Sequence, residues 1–172
     1  DIVIDPSSDV NYEQVLKIVT DISEIDTAHF IYAGSSSNDT FILPTQLAVN
    51  QNNDMNFGEI YLDGGDDNLT ISNTDSIYYV YGGEGQDTLT ASGSDQRVEI
   101  FGGVGNDDIT GSEVADHLDG GSQASHEMGF ESGNDNIIGG GGDDFIVYAS
   151  GNDVIDGGED NDILFLPAHE FS

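Results

Sequence analysis

Residues 82–90 read GGEGQDTLT, residues 102–110 read GGVGNDDIT and residues 139–147 read GGGGDDFIV. All three stretches follow one nine-residue pattern, G-G-x-G-x-D-x-U-x, in which U is a large apolar residue. Partial copies read GDDNLT from residue 65, GNDNII from 133, GNDVID from 151 and GGEDNDILF from 157. Because glycine-rich turns bracket short stretches of alternating apolar residues, each copy predicts a tight turn followed by a short β-strand rather than a helix.

A longer repeat contains these copies. Residues 53–112 superimpose as three rows of twenty, and similar residues fall in the same column. One column contains Ile60, Val80 and Ile100, and another contains Leu69, Leu89 and Ile109. From residue 107 onward the aspartate spacing tightens to nine, so that two copies make a coil of eighteen. Repeats of this length predict stacked coils, with 20-residue coils over 53–112 and 18-residue coils over 133–166.

The aspartates of the pattern predict two columns along opposite edges of the stack. The first column is expected to contain Asp67, Asp87, Asp107, Asp144 and Asp162, with Asp39 as a weaker member. The second is expected to contain Asp75, Asp95, Asp116, Asp135 and Asp153. Stacked carboxylates about 4.8 Å apart repel one another unless a cation lies between them. The chain has 34 acidic residues and two basic ones, Lys17 and Arg97, so divalent cations are the economical counter-charge.

Calcium suits such turns because it accepts roughly six to eight oxygen ligands from carboxylates and backbone carbonyls. Glycine permits the backbone conformations that direct several carbonyl groups toward one point. An aspartate in an isolated turn is as well explained by an Asx-turn, but that explanation fails for two stacked columns. The expected ligands are therefore the column aspartates together with glycines of the turns. These glycines are Gly82, Gly83, Gly85, Gly102, Gly103, Gly105, Gly133, Gly139, Gly140, Gly142, Gly151 and Gly157.

Composition excludes several classes of protein. The formal charge of −32 argues against nucleic acid and anionic membrane as partners. A disordered acidic segment or a halophile-like surface would scatter its carboxylates, whereas here they are in register with glycines. No cysteine is present, and no apolar run is long enough to span a bilayer. Because no nucleophile, zinc-protease or phosphate-loop motif is present either, we expect no enzymatic activity from this chain.

Residues 53–166 resemble the RTX, or hemolysin-type, calcium-binding repeats. The resemblance implies a right-handed parallel β-roll, in which calcium lies between turns of neighbouring coils. It implies ion sites between Asp67 and Asp87, Asp87 and Asp107, Asp144 and Asp162, and Asp135 and Asp153, and roughly five to eight ions in all. It also implies a bacterial protein exported by type I secretion and located outside the cell or on its surface.

The roll is expected over residues 51–172, and residues 1–50 are expected to form an N-terminal cap or divergent first coils. Residues from Asn11 predict a short helix or, nearly as well, a strand. Residues 119–132 depart from the pattern and predict a degenerate coil with an outward loop. Residue 1 is aspartate rather than methionine, which indicates a segment of a longer chain, and this segment is expected to be monomeric. The expected function is a structural or adhesive module that folds on extracellular calcium. Two alternatives remain: a calcium-dependent module for a carbohydrate, protein or surface ligand, and an ancillary domain of a toxin or exoenzyme.

Overall fold

A computed structural model describes residues 2–4, 29–43, 56–72, 76–121 and 133–166. Every regular element in these ranges is a β-strand, and the ranges contain no helix that could span a membrane. The strands form two parallel sheets, and the chain passes from one to the other at each turn. The prediction of an all-β parallel roll is thus confirmed. The helix or strand predicted from Asn11 falls outside the described residues.

The larger sheet, sheet A, has eight strands in the order β1-β2-β4-β6-β8-β10-β12-β14. Their bounds are β1 Ile2–Ile4, β2 His29–Ala33, β4 Asn56–Tyr61, β6 Ser76–Glu84, β8 Val98–Val104, β10 His117–Asp119, β12 Phe145–Val147 and β14 Ile163–Phe165. Sheet B has six strands in the order β13-β11-β9-β7-β5-β3. Their bounds are β3 Thr40–Leu43, β5 Asn68–Ile71, β7 Thr88–Thr90, β9 Asp108–Thr110, β11 Asn136–Gly140 and β13 Val154–Gly158.

Apolar side chains of the two sheets meet in a narrow core. In sheet B, Leu69 pairs with Leu89, Leu89 with Ile109, and Ile109 with Ile137. Sheet A contributes a matching column, whose members Ile60, Val80, Ile100, Leu118 and Ile146 are all buried. Each such side chain contributes about 1.5–3 kcal/mol when it is fully buried. The alternation of apolar and polar residues therefore fixes which face of each strand points inward, and it places the turns along the two edges.

Residues 29–43 already belong to the stack. Strand β2 pairs with β4, from His29 opposite Phe57 to Ala33 opposite Tyr61, and β3 pairs with β5. Inside this coil the rings of Tyr32 and Phe41 stack with centroids 4.4 Å apart. The described residues 29–43 therefore form a coil of the stack on the N-terminal side of residue 51.

The degenerate coil and loop predicted for residues 119–132 fall largely outside the described residues, which end at Gly121 and resume at Gly133. Strand β11 pairs directly with β9, with Asn136 opposite Asp108, and β10 pairs with both β8 and β12. Strands β9 and β11 are therefore neighbours in sheet B, and β8, β10 and β12 are consecutive in sheet A. Gly120 and Gly121 stand where Gly102 and Gly103 stand one coil earlier, and Gly133 stands where Gly105 does. Residues 122–132 lie outside the described residues; in the sequence they are an insertion between Gly121 at the second position of this turn and Gly133 at the fourth.

Candidate calcium-binding turns

Two stacks of turns line the edges between the sheets. The first edge, where the chain leaves sheet A, contains residues 34–39, 62–67, 82–87, 102–107, 148–153 and the interrupted turn that ends at Asp135. The second edge, where the chain leaves sheet B, contains residues 93–98, 111–116, 139–144 and 157–162. Each turn has six positions, and in the repeat pattern glycine occupies the first, second and fourth and aspartate the sixth.

Two of the glycine positions require left-handed backbone. At the second position Gly83 has φ of 112°, and at the fourth Gly85 has φ of 134°. A side chain at either place would collide with a carbonyl group of the preceding coil, namely that of Asp63 or Gly65. In two turns the same conformation is adopted without glycine, since Asp63 at a second position has φ of 74° and Asp160 at a fourth has 77°. The packing around these two turns therefore supports the left-handed backbone even where a side chain is present.

The predicted glycines fall into these positions. The first positions belong to Gly82, Gly102, Gly139 and Gly157, and the second to Gly83, Gly103 and Gly140. The fourth positions belong to Gly85, Gly105, Gly133, Gly142 and Gly151, all with positive φ. Each predicted glycine thus lies in a turn that also contains a column aspartate.

The aspartates form ladders through one carboxylate oxygen. Oδ1 of Asp107 accepts the backbone N–H of Asp87 at 2.9 Å, and Oδ1 of Asp87 accepts that of Asp67 at 2.9 Å. The same bond joins Asp39 to Asp67, Asp107 to Asp135, and Asp135 to Asp153 along the first edge. Along the second edge it joins Asp116 to Asp144 and Asp144 to Asp162. Each aspartate is therefore fixed by the preceding coil.

The second carboxylate oxygen is the feature that suits a cation. Among the described residues, Oδ2 is buried and accepts no hydrogen bond in Asp67, Asp87, Asp107, Asp135 and Asp144. In the turns that begin with glycine, Oδ2 faces that glycine: a methyl group on Gly82 would lie 2.5 Å from Oδ2 of Asp87 and in contact with the carbonyl oxygen of Gly102. The same arrangement recurs at Gly102 and Gly139. A buried anionic oxygen without a donor is costly unless a cation compensates it.

Burial perturbs the acidity of these carboxyls. Desolvation, opposed by the N–H bond from the preceding coil and reinforced by neighbouring carboxylates, raises the pKa of Asp107 to about 8 and of Asp135 to about 7. The same causes raise the pKa of Asp67 and Asp144 to about 6. The ionised form is therefore unfavourable in these turns without a counter-charge.

The membership of the two columns differs from the prediction beyond residue 107. Asp135 and Asp153 continue the first edge, and Asp144 and Asp162 follow Asp116 on the second. The columns cross because Asp135 follows Asp107 directly on the first edge, although residues 122–132 come between them in the sequence. Asp95 belongs to neither column: it is exposed, and Val98 occupies the column position next to Asp116, to whose Oδ1 it donates its N–H at 2.8 Å. Asp75 is outside the described residues.

In the described ranges, no three acidic or histidine side chains converge on a common point. Each candidate site instead combines aspartate carboxylates with carbonyl oxygens of neighbouring turns. The family model of the RTX calcium-binding nonapeptide repeat matches residues 79–98, 90–118, 101–124, 131–155 and 149–166. This part of the chain belongs to the RTX repeat family. No curated protein and no solved structure matches the chain at a significant level.

RTX repeats bind calcium, and the turns of this roll provide suitable oxygens for it. The ion would be held by Oδ2 of Asp67, Asp87, Asp107, Asp135 or Asp144 together with carbonyl groups such as that of Gly102. When bound, calcium supplies the positive charge that the buried carboxylates lack. The turn 62–67 lies before the matched residues, yet it has the same shape and the same buried Oδ2. The RTX geometry therefore extends further toward the N-terminus than the family match.

Two polar features of the turns escaped the sequence pattern. Asp119 is fully buried just before the insertion, and its Oδ1 accepts the N–H of Gly121 at 2.9 Å. A second ladder runs through the fifth positions, where Asn106 Oδ1 accepts the N–H of Asn134 at 2.7 Å and Asn134 Oδ1 that of Asn152 at 2.8 Å. The recurring Asn-Asp pair was the available signal for this second ladder.

Aromatic side chains on the outer face of sheet A form a third column. Tyr61 and Tyr81 stack with centroids 4.7 Å apart and planes 6° from parallel, and Phe101 follows at 5.3 Å. Their faces therefore cover one another, as expected for ladder packing. A sugar ring stacks on an open aromatic face. The faces that neighbouring rings of this column turn toward each other are covered, so a sugar ring cannot stack on them.

Proposed function

We propose that this RTX roll folds when it binds calcium outside the cell, and that it serves as a structural and adhesive module of a secreted or cell-surface bacterial protein. The single observation that supports this best is the set of five buried aspartate oxygens without donors, stacked along the turns of a chain whose formal charge is −32. Bound calcium offsets the repulsion between neighbouring carboxylates of a column, and it also reduces the net negative charge of the chain.

The energetics favour a folding switch. Without calcium, repulsion between carboxylates and the entropy cost of ordering 23 glycines oppose the roll. Extracellular calcium modules bind at about 10⁻⁴ to 10⁻³ M. At ten times the dissociation constant each ion contributes about 1.4 kcal/mol to the free energy of unfolding. Roughly five to eight such ions contribute about 7 to 11 kcal/mol, comparable with the stability of a whole domain.

The compartment follows from the same argument. The RTX family is associated with secreted bacterial proteins. A chain that stays unfolded at low cytosolic calcium is suited to export through a narrow channel, and it then folds in the calcium-rich medium outside. We propose type I secretion as the route and a monomeric roll within a longer polypeptide as the product.

The roll acts without catalysis in this proposal. The buried carboxylates are explained by ion binding, and two alternatives differ only in what the roll does once it is folded. A ligand-binding module would bind a glycan or protein in calcium and release it on chelation, whereas an ancillary domain would support the activity of a linked toxin or exoenzyme. Glycan binding and substrate turnover by the isolated chain, each measured with and without calcium, distinguish these alternatives from a purely structural role.

Far-UV circular dichroism tests the folding switch. The chain is freed of calcium with a chelator and titrated with calcium, with magnesium as the control ion. A cooperative gain of β signal at sub-millimolar to millimolar calcium, absent with magnesium, is the expected result. A spectrum that is the same with chelator and with calcium contradicts the proposal.

A further inference from the structure

Two turns that start the ladders contain serine where the pattern has its second glycine. They read GSSSND at residues 34–39 and GSEVAD at residues 111–116. Ser112 donates its N–H to Oδ2 of Asp116 at 2.6 Å, and its hydroxyl lies 2.9 Å from the same oxygen. Ser35 makes the same two contacts with Asp39, at 2.8 Å and 3.1 Å. The oxygen that has no donor in the glycine turns is thus satisfied by protein in both serine turns.

The backbone of the serine turns is also different. Among the described non-glycine residues only Asp63 and Asp160 have positive φ, so neither Ser112 nor Val114 takes the left-handed conformation of a glycine turn. Instead Val114 donates its N–H to the Ser112 hydroxyl at 3.3 Å, and Ser37 does the same with Ser35. The serine hydroxyl therefore closes a local turn of its own in each case.

The side chain of Arg97 brings a positive charge near the serine turn of the second edge. The turn below it, residues 93–98, has Val98 in place of the aspartate, and the Ser94 hydroxyl bonds to Gln96 as in the other serine turns. Arg97 in that turn is the only Lys or Arg among the described residues. It pairs with Glu99 at 2.9 Å. Burial raises the pKa of Asp116, and hydrogen bonds from Ser112 and Val98 and, to a lesser extent, the charge of Arg97 act in the opposite direction.

We propose that the serine turns 34–39 and 111–116 are calcium-independent ends of the two ion ladders, in which the serine N–H and hydroxyl occupy the place of the ion at Oδ2. The inference rests on the proposed calcium binding of the glycine turns. It assigns Ser35 and Ser112 as the residues that limit the number of ions. On the second edge, among the described turns, the ion ladder begins only between residues 139–144 and 157–162, so turns 93–98 and 111–116 bind no ion.

The ratio of bound calcium to protein tests this assignment. It is measured at saturating calcium by isothermal titration calorimetry and by metal analysis after gel filtration, on the whole chain. Asp107→Asn is expected to lower the ratio by about one ion and Asp116→Asn to leave it unchanged. If Asp116→Asn lowers the ratio as Asp107→Asn does, the serine turns bind calcium and the inference is wrong. A wild-type chain that binds no calcium contradicts the proposed function instead.

A second variant keeps the test open if Asp116→Asn does not fold. Ser112→Gly combined with Val114→Gly converts GSEVAD into GGEGAD, which fits the repeat pattern and retains Asp116. Removal of the serine hydroxyl leaves Oδ2 without that donor, and glycine at both positions permits the left-handed turn. The variant is expected to bind one additional calcium ion; an unchanged ratio overturns the claim that serine excludes the ion.

Discussion

Asp107 donates its backbone N–H to Oδ1 of Asp135 at 3.0 Å, although the two residues are 28 positions apart. The same bond joins Asp87 to Asp107 over 20 positions and Asp135 to Asp153 over 18. The ladder is thus maintained while the length of chain between its members changes. Register in this roll is set by strand pairing and by the aspartate ladder, and extra residues are accommodated at the third position of a turn or in the longer connections.

Removal of the insertion should preserve the roll. Replacement of residues 122–132 by a single glutamate makes Gly121 and Gly133 parts of one uninterrupted GGEGND turn. Because a shorter loop is closed at a smaller entropy cost, the calcium-bound form should be more stable by up to about 2 kcal/mol. The thermal midpoint in calcium measures this, and loss of the β signal in saturating calcium would show that the inserted residues are needed for the fold.

A substitution in the ladder should weaken calcium binding. Asp107→Asn keeps an oxygen for the Asp87 N–H but removes the buried charge, so calcium loses an anionic ligand. At ten times the dissociation constant the loss of one ion costs about 1.4 kcal/mol, and the midpoint of the calcium titration should rise several-fold.

The matched control is Asp108→Asn, which makes the same charge change one residue along. Asp108 is exposed, and its side chain accepts a hydrogen bond from the Asn136 side chain at 3.1 Å. The control should therefore change stability by no more than about 0.5 kcal/mol; equal effects of the two variants would mean that net charge alone matters.

The repeating part of the fold was predictable from the sequence. Apolar columns such as Leu69, Leu89 and Ile109 follow from the period, because a parallel stack places equivalent residues directly above one another. The RTX motif likewise predicted the turn positions of glycine and aspartate. What the period could not predict is the edge on which a turn lies, since an insertion of nearly the length of a half coil looks like a half coil when only spacing is counted.

The serine turns illustrate the same limit at the level of single residues. Asp116 and Asp144 both end six-residue turns, and the spacing treats them alike. The structure separates them, because Oδ2 of Asp116 accepts bonds from Ser112 whereas Oδ2 of Asp144 accepts none. A Gly-Ser pair at the start of a turn, as in residues 34–35, 93–94 and 111–112, was the signal available in the sequence.

Acid should partly replace calcium. In the ion-free roll the pKa of Asp107 is raised to about 8 and that of Asp135 to about 7, from an ordinary value of 3.8. The folded state therefore binds protons more tightly than the unfolded chain. The stability that these groups provide is complete below pH 3.8 and is lost as the pH rises through 7 and 8.

Circular dichroism in chelator between about pH 5.5 and pH 8.5 measures this dependence. The β signal and the thermal midpoint should fall as the pH rises. Saturating calcium is the control, and it should reverse the trend because calcium competes with protons for the ionised carboxylates. A signal in chelator that is independent of pH, or that grows with pH, would contradict the expected cost of the buried charges.

Two alanine substitutions should separate a glycine that the turn requires from one that it tolerates. Gly105 has φ of 144°, and a side chain there would press on the carbonyl group of Gly85. Gly105→Ala combines left-handed strain with overpacking and should cost about 3 kcal/mol, with a large rise in the calcium midpoint. Gly141 occupies a third position, where the nearest atom to an added methyl group is the carbonyl oxygen of Glu113 at 3.4 Å. Gly141→Ala should change the free energy of unfolding by less than about 1 kcal/mol. Urea unfolding at fixed calcium measures both, and similar costs for the two variants would mean that turn conformation does not limit this roll.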